Sequence, residues 1–129
     1  MSEIAIKKQR PKHLDLLVIK QPLPAIASIL HRVSGAGLFL MLPFLIYLFQ
    51  LSIESPRSFE TFQAVAGHPL AKLVLTGLLW AFLHHFCMGI RILLLDMNMG
   101  ADLGPARAST KAVLIISLVL TAILGVKLW

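Results

Sequence analysis

The sequence predicts an all-α membrane protein of three transmembrane helices, and three observations carry that prediction. Of its 129 residues, 57% are hydrophobic and only 14% are charged, against roughly a quarter charged in soluble domains. Mean hydropathy is correspondingly high, at +0.82. Three apolar runs consume most of the chain, each close to the ~20 residues that cross ~30 Å of hydrocarbon. Positive residues gather beside these runs, mostly at one end of each, as a topology signal would place them.

Residues 1–23 read as a basic, polar arm, with a short apolar patch at 14–19 that suits a partner surface, lipid headgroups or a simple tail. Helix 1 is expected over 24–51. Pro24 fits a first helical turn, residues 33–51 form its charge-free part, and Pro43 should bend it. Residues 52–67 read as a short polar loop holding Glu54, Pro56, Arg57 and Glu60. Helix 2 is expected over 68–95, again with a proline, Pro69, at its start, and with Lys72 able to snorkel from the first turn. A second loop, 97–107, contains Gly100, Gly104 and Pro105. Ser109 or Thr110 then caps helix 3, over 110–129, where Lys127 and Trp129 make interfacial anchors. With no internal repeat, the chain reads as one transmembrane anchor domain, 1–129.

Charge bias sets the expected orientation. Lys7, Lys8, Arg10, Lys12 and Lys20 lie in the arm, and Arg91, Arg107 and Lys111 flank the second loop; the other side has Arg57, Lys72 and Lys127. The positive-inside rule places the N-terminus and second loop in the cytoplasm, and the C-terminus on the far side. The net charge of +6 then marks topology, not nucleic-acid binding. Cys87, the single cysteine, excludes an internal disulfide and a cysteine zinc site, and reads as a packing residue. No signal peptide is evident, so the first apolar run should be a retained anchor.

The stretch WAFLHHFCMGIRILLLD (80–96) places two histidines, an arginine and an aspartate in an apolar helix. Ionisable groups at membrane depth are costly and point to function. His85, Gly89, Ile92 and Asp96 share one helix face, and His84, Met88 and Arg91 a neighbouring one. His85 lies about 16 Å along the helix from Asp96, near mid-membrane, with His31, Arg32 and Arg91 nearer the cytoplasmic end. A haem suits that pattern: imidazole ligates its iron, cations attract its carboxylates, and Gly89 leaves room for the ring. A histidine hydrogen-bonded to a neighbouring helix suits it equally. His84 points about 100° from His85 and His31 is too near the surface, so a six-coordinate haem needs a ligand from another subunit. Ser28, His31 and Arg32 form a polar stripe at i, i+3 and i+4, followed by Gly35. Ser28 and Arg32 could hold the carbonyl oxygens of a quinone; they could also pack against a helix and snorkel to phosphate.

At SILHRVSG (28–35) and HFCMGIRILLLD (85–96) the chain resembles the cytochrome b subunit of bacterial succinate dehydrogenase, the membrane anchor of respiratory complex II. The likeness extends through KKQRPKHLDL (7–16), AIASILHRVSG (25–35) and PLAKLVLTGLLWAFLHH (69–85) to the terminal Leu128-Trp129. It implies a three-helix anchor in the bacterial inner membrane, its C-terminus periplasmic, packing with a second three-helix subunit around one haem b. His85 falls on the family's axial-ligand position, the other ligand coming from the partner chain, and His31 and Arg32 fall where the family approaches the haem propionates. Ser28 and Arg32 fall on ubiquinone-binding positions. Lys12 and Ile92 depart from the usual family residues, and His84 stands where an aromatic is common.

The resemblance also implies a flavoprotein that oxidises succinate and an iron–sulfur subunit that passes the electrons on. The chain itself has no dinucleotide fingerprint, cysteine cluster or carboxylate dyad, so it is expected to be non-catalytic alone. A fumarate reductase anchor and a cofactor-free membrane scaffold are the alternatives. A transporter would be expected to show paired broken helices or an inverted repeat, and neither is evident.

Overall fold

The computed structural model describes residues 15 and 18–129; the expected N-terminal arm lies largely outside the described residues. Four helices follow in order: α1 (Leu23–Glu54), α2 (Pro56–Gly67), α3 (Pro69–Asp96) and α4 (Leu103–Leu128). Of these, α1, α3 and α4 are long and apolar enough to cross a membrane. The chain is a membrane protein with three candidate spans.

Local chemistry accounts for each boundary. Pro24 sits in the first turn of α1, where a missing N–H costs nothing. Pro43 lies inside the helix. The 52–67 segment differs from the polar loop expected of it, because Ser55 and Ser58 form a reciprocal cap. The Ser55 Oγ accepts from the Ser58 N–H at 3.1 Å, and the Ser58 Oγ accepts from the Ser55 N–H at 2.9 Å. Pro56 follows at the first position, so α2 starts despite its polar composition.

His68 caps α3, its Nδ1 accepting from the Leu70 N–H at 3.2 Å. The turn to α4 uses two left-handed residues, Asn98 (φ 58°) and Gly100 (φ 73°), types that tolerate that conformation. α4 begins at Leu103, seven residues ahead of its expected start, with Pro105 in its first turn. Ser109 and Thr110 therefore lie inside the helix. Instead of capping it, both hydroxyls donate to the Ala106 carbonyl, at 3.1 and 2.8 Å.

The three long helices run alternately up and down, with α3 packed against both α1 and α4. Ala27, Met88 and Val113 make the shared core near one end. At the other end Trp129 closes on α3: its Nε1–H donates to Thr76 Oγ1 at 3.3 Å, and Lys72 Nζ sits 5.1 Å from its ring centroid. Thr110, Ser117 and Thr121 line the buried face of α4. Their hydroxyls are satisfied within the helix, by Ala106, Leu114 and Ser117 carbonyls, which lets α3 approach without orphaned polar groups. Outside these contacts the spanning helices present rows of exposed Leu, Ile, Val and Phe, as lipid-facing or partner-facing helices do.

Candidate haem and quinone site

α1 and α3 are antiparallel, so the first turns of α1 meet the last turns of α3. That topology brings the Ser28–Arg32 stripe and the His85–Asp96 stretch to one end of the molecule. Helical periodicity separates two faces of α3, and the structure adds which is inward. His84, Met88 and Arg91 are buried, while His85, Gly89 and Ile92 are half-buried and Asp96 is exposed.

His85 is held by α1. Its Nδ1 lies 3.0 Å from the His31 carbonyl oxygen and 3.4 Å from Ser34 Oγ. A carbonyl only accepts, so Nδ1 carries the proton and Nε2 keeps its lone pair. Among the described residues Nε2 makes no hydrogen bond. The His31 ring stacks on the His85 ring, with centroids 4.2 Å apart and planes inclined by 14°. A ring fixed through Nδ1 by a backbone carbonyl, with Nε2 unengaged on a half-exposed helix face, is what a metal-bound histidine requires. His85 therefore fits an axial ligand to haem iron. Gly89, one turn on, has open space where a side chain would stand.

His84 is enclosed by its own chain, with no exposure at all. Its ring stacks on Trp80 at 5.2 Å. The Ala27 backbone lies beside the ring, but among the described residues neither ring nitrogen makes a hydrogen bond of good geometry. No surface of His84 is open to a group outside the chain, in contrast to His85.

Arg91, expected among the cations near the haem carboxylates, is committed to α4 instead. The guanidinium reaches α4, with Nε–H donating to Ser109 Oγ at 3.0 Å and Nη2–H to the Ala106 carbonyl at 3.1 Å. Asp96 is exposed at the end of α3. Arg32 is exposed on α1 and Ser28 is half-buried beside it. Neither side chain is engaged in a hydrogen bond or ion pair among the described residues, so both are available to a molecule arriving from outside. Two further residues complete the site: Ser34, which the sequence pattern did not single out, and Gly35, the small residue that continues the stripe and on which the His85 ring rests. Their i+3 and i+4 spacing from His31 was the available signal.

The family model described as "Succinate dehydrogenase/Fumarate reductase transmembrane subunit" matches residues 6–124. The chain belongs to that family. It is 34% identical over 122 residues to the succinate dehydrogenase cytochrome b556 subunit of Coxiella burnetii, covering 94% of this chain and 98% of that protein. The protein of the same name from Paracoccus denitrificans is 31% identical over 114 residues, 88% of each chain. That of Rickettsia typhi is 28% identical over 121 residues, 94% of each. The three candidate spans are those of a transmembrane subunit family.

Proposed function

We propose that this chain is the membrane-anchoring cytochrome b subunit of a bacterial succinate dehydrogenase, set in the inner membrane with its N-terminus cytoplasmic. The supporting observation is the state of His85: Nδ1 tied to the His31 carbonyl at 3.0 Å, and Nε2 without a hydrogen bond among the described residues. His85 would hold haem b through Nε2, with a second three-helix anchor subunit supplying another ligand. His31 and Arg32 would hold the haem carboxylates by charge and hydrogen bonding. The bound haem supplies one-electron storage beside the quinone site.

Ser28 and Arg32, one helical turn apart, form this chain's part of the ubiquinone site. Ser28 donates a hydrogen bond to a quinone carbonyl oxygen, and Arg32 offsets the negative charge that develops there as electrons arrive. Those electrons come from succinate, through a flavoprotein and then an iron–sulfur subunit docked at the cytoplasmic face. The family description also covers fumarate reductases. The names of the relatives favour succinate oxidation.

The test is purification of the complex from membranes. A flavoprotein, an iron–sulfur protein and a second anchor should accompany this chain, with a b-type reduced-minus-oxidised spectrum that His85→Ala abolishes. A cofactor-free scaffold would show no such spectrum. A spectrum unchanged in His85→Ala would overturn the ligand assignment.

A further inference from the structure

His85 is positioned on α1 by the carbonyl and ring of His31, the Ser34 hydroxyl and Gly35, and among these only the His31 carbonyl is at close hydrogen-bond distance. An ideal Cβ built on Gly35 would lie 2.7 Å from His85 Cε1 and 3.1 Å from its Nδ1. Those are atoms of a rigid ring already stacked on His31, so no flexible end exists to move aside. Ser34 is buried, and its hydroxyl donates to the same His31 carbonyl at 2.9 Å while lying 3.4 Å from His85 Nδ1. One carbonyl oxygen thus serves two side-chain donors, Ser34 Oγ–H and His85 Nδ1–H.

We propose that Ser34 and Gly35 are positioning residues for the His85 imidazole, Gly35 by giving the ring its place and Ser34 by setting how strongly the His31 carbonyl draws the Nδ1 proton. The assignment rests on His85 being the haem ligand. Donors that share an acceptor weaken one another, so the Ser34 hydroxyl moderates the Nδ1–H bond. Removing it strengthens that bond, which makes Nε2 more basic. A more basic ligand favours the oxidised, more positive iron, and the haem becomes harder to reduce.

The experiment compares Ser34→Ala, Gly35→Ala, Gly37→Ala and His85→Ala in the purified complex, by haem content, redox titration of the b-type band and low-spin electron paramagnetic resonance. Gly37 is the control, since a Cβ there meets nothing within 4 Å. Ser34→Ala should keep full haem content with a lowered midpoint potential. Gly35→Ala should lose haem or shift its resonance, and Gly37→Ala should match the wild type. If Gly35→Ala fails to assemble, Ser34→Ala still decides, because the His31 carbonyl it uncovers keeps its other donor. An unchanged or raised potential in Ser34→Ala, or an unaltered spectrum in an assembled Gly35→Ala complex, overturns the proposal while the ligand assignment stands. A wild-type complex without a b-type band, or His85→Ala retaining it, removes the ligand assignment and the proposal together.

Discussion

Arg91 of α3 is bonded to α4 on two sides, by Nε–H to the Ser109 hydroxyl at 3.0 Å and by Nη2–H to the Ala106 carbonyl at 3.1 Å. Ser109 and Ala106 are half-buried, so each of these charged hydrogen bonds should contribute near the lower end of about 1.5–3 kcal/mol. Arg91→Lys keeps the charge but loses the planar fork that reaches both partners. It should lower the thermal midpoint of the detergent-solubilised complex and leave the b-type spectrum intact. Loss of haem with an unchanged midpoint would show that the guanidinium serves the cofactor instead.

His84 and His85 are neighbours with opposite expected phenotypes. A buried ring with no hydrogen bond costs about 1–3 kcal/mol, so His84→Phe should leave thermal stability equal or higher. It keeps the stacking surface for Trp80 and should not alter the haem spectrum. His85→Phe should abolish that spectrum. The reverse pattern would exchange the two assignments.

Met88 is almost fully buried, against Ala27 and Val113. In a soluble core Met→Ala costs roughly 2–5 kcal/mol, part of it the transfer of methylenes from water. Lipid is as apolar as the protein interior, so the cavity and lost packing remain while the transfer term fades. Met88→Ala should therefore fall near the bottom of that range, measured by thermal inactivation of the complex. Ala27→Leu should cost about 1–3 kcal/mol by overpacking. It should also raise the KM for quinone, because Ser28 is the next residue.

Ser28 and Arg32 make no packing contribution comparable to Met88. Their substitution should change stability by less than about 0.5 kcal/mol and act on turnover. Loss of one hydrogen bond of about 1.4 kcal/mol is tenfold in rate, the expected fall in quinone reduction for Ser28→Ala. Arg32→Leu should fall further, since it removes a charge. Wild-type turnover in both variants would move the quinone site away from α1.

Much of this arrangement is written plainly in the chain. Hydropathy marks the three long helices, and a 3.6-residue period separates the His85 face of α3 from the His84–Arg91 face. It does not say which face turns inward. That depends on Gly35, whose missing side chain lets α3 settle with His85 against α1 and His84 enclosed. α2 was hidden because Ser55 and Ser58 look like loop residues until their reciprocal hydrogen bonds are seen. The start of α4 was displaced for a related reason. Ser109 and Thr110 resemble caps, but both hydroxyls turn back to Ala106 inside a helix already under way. Arg91 was legible as a costly charge, and its destination needed α4 in place.

Little of each spanning helix is covered by the rest of this chain. A solitary copy consequently leaves most of its helical surface uncovered by protein, and should be cleared by membrane proteases faster than an assembled one. Cellular abundance of a subunit built this way follows capture more closely than synthesis. Overproducing it alone should raise its turnover, not its standing amount, until the surface that completes the His85 side is made in matching number.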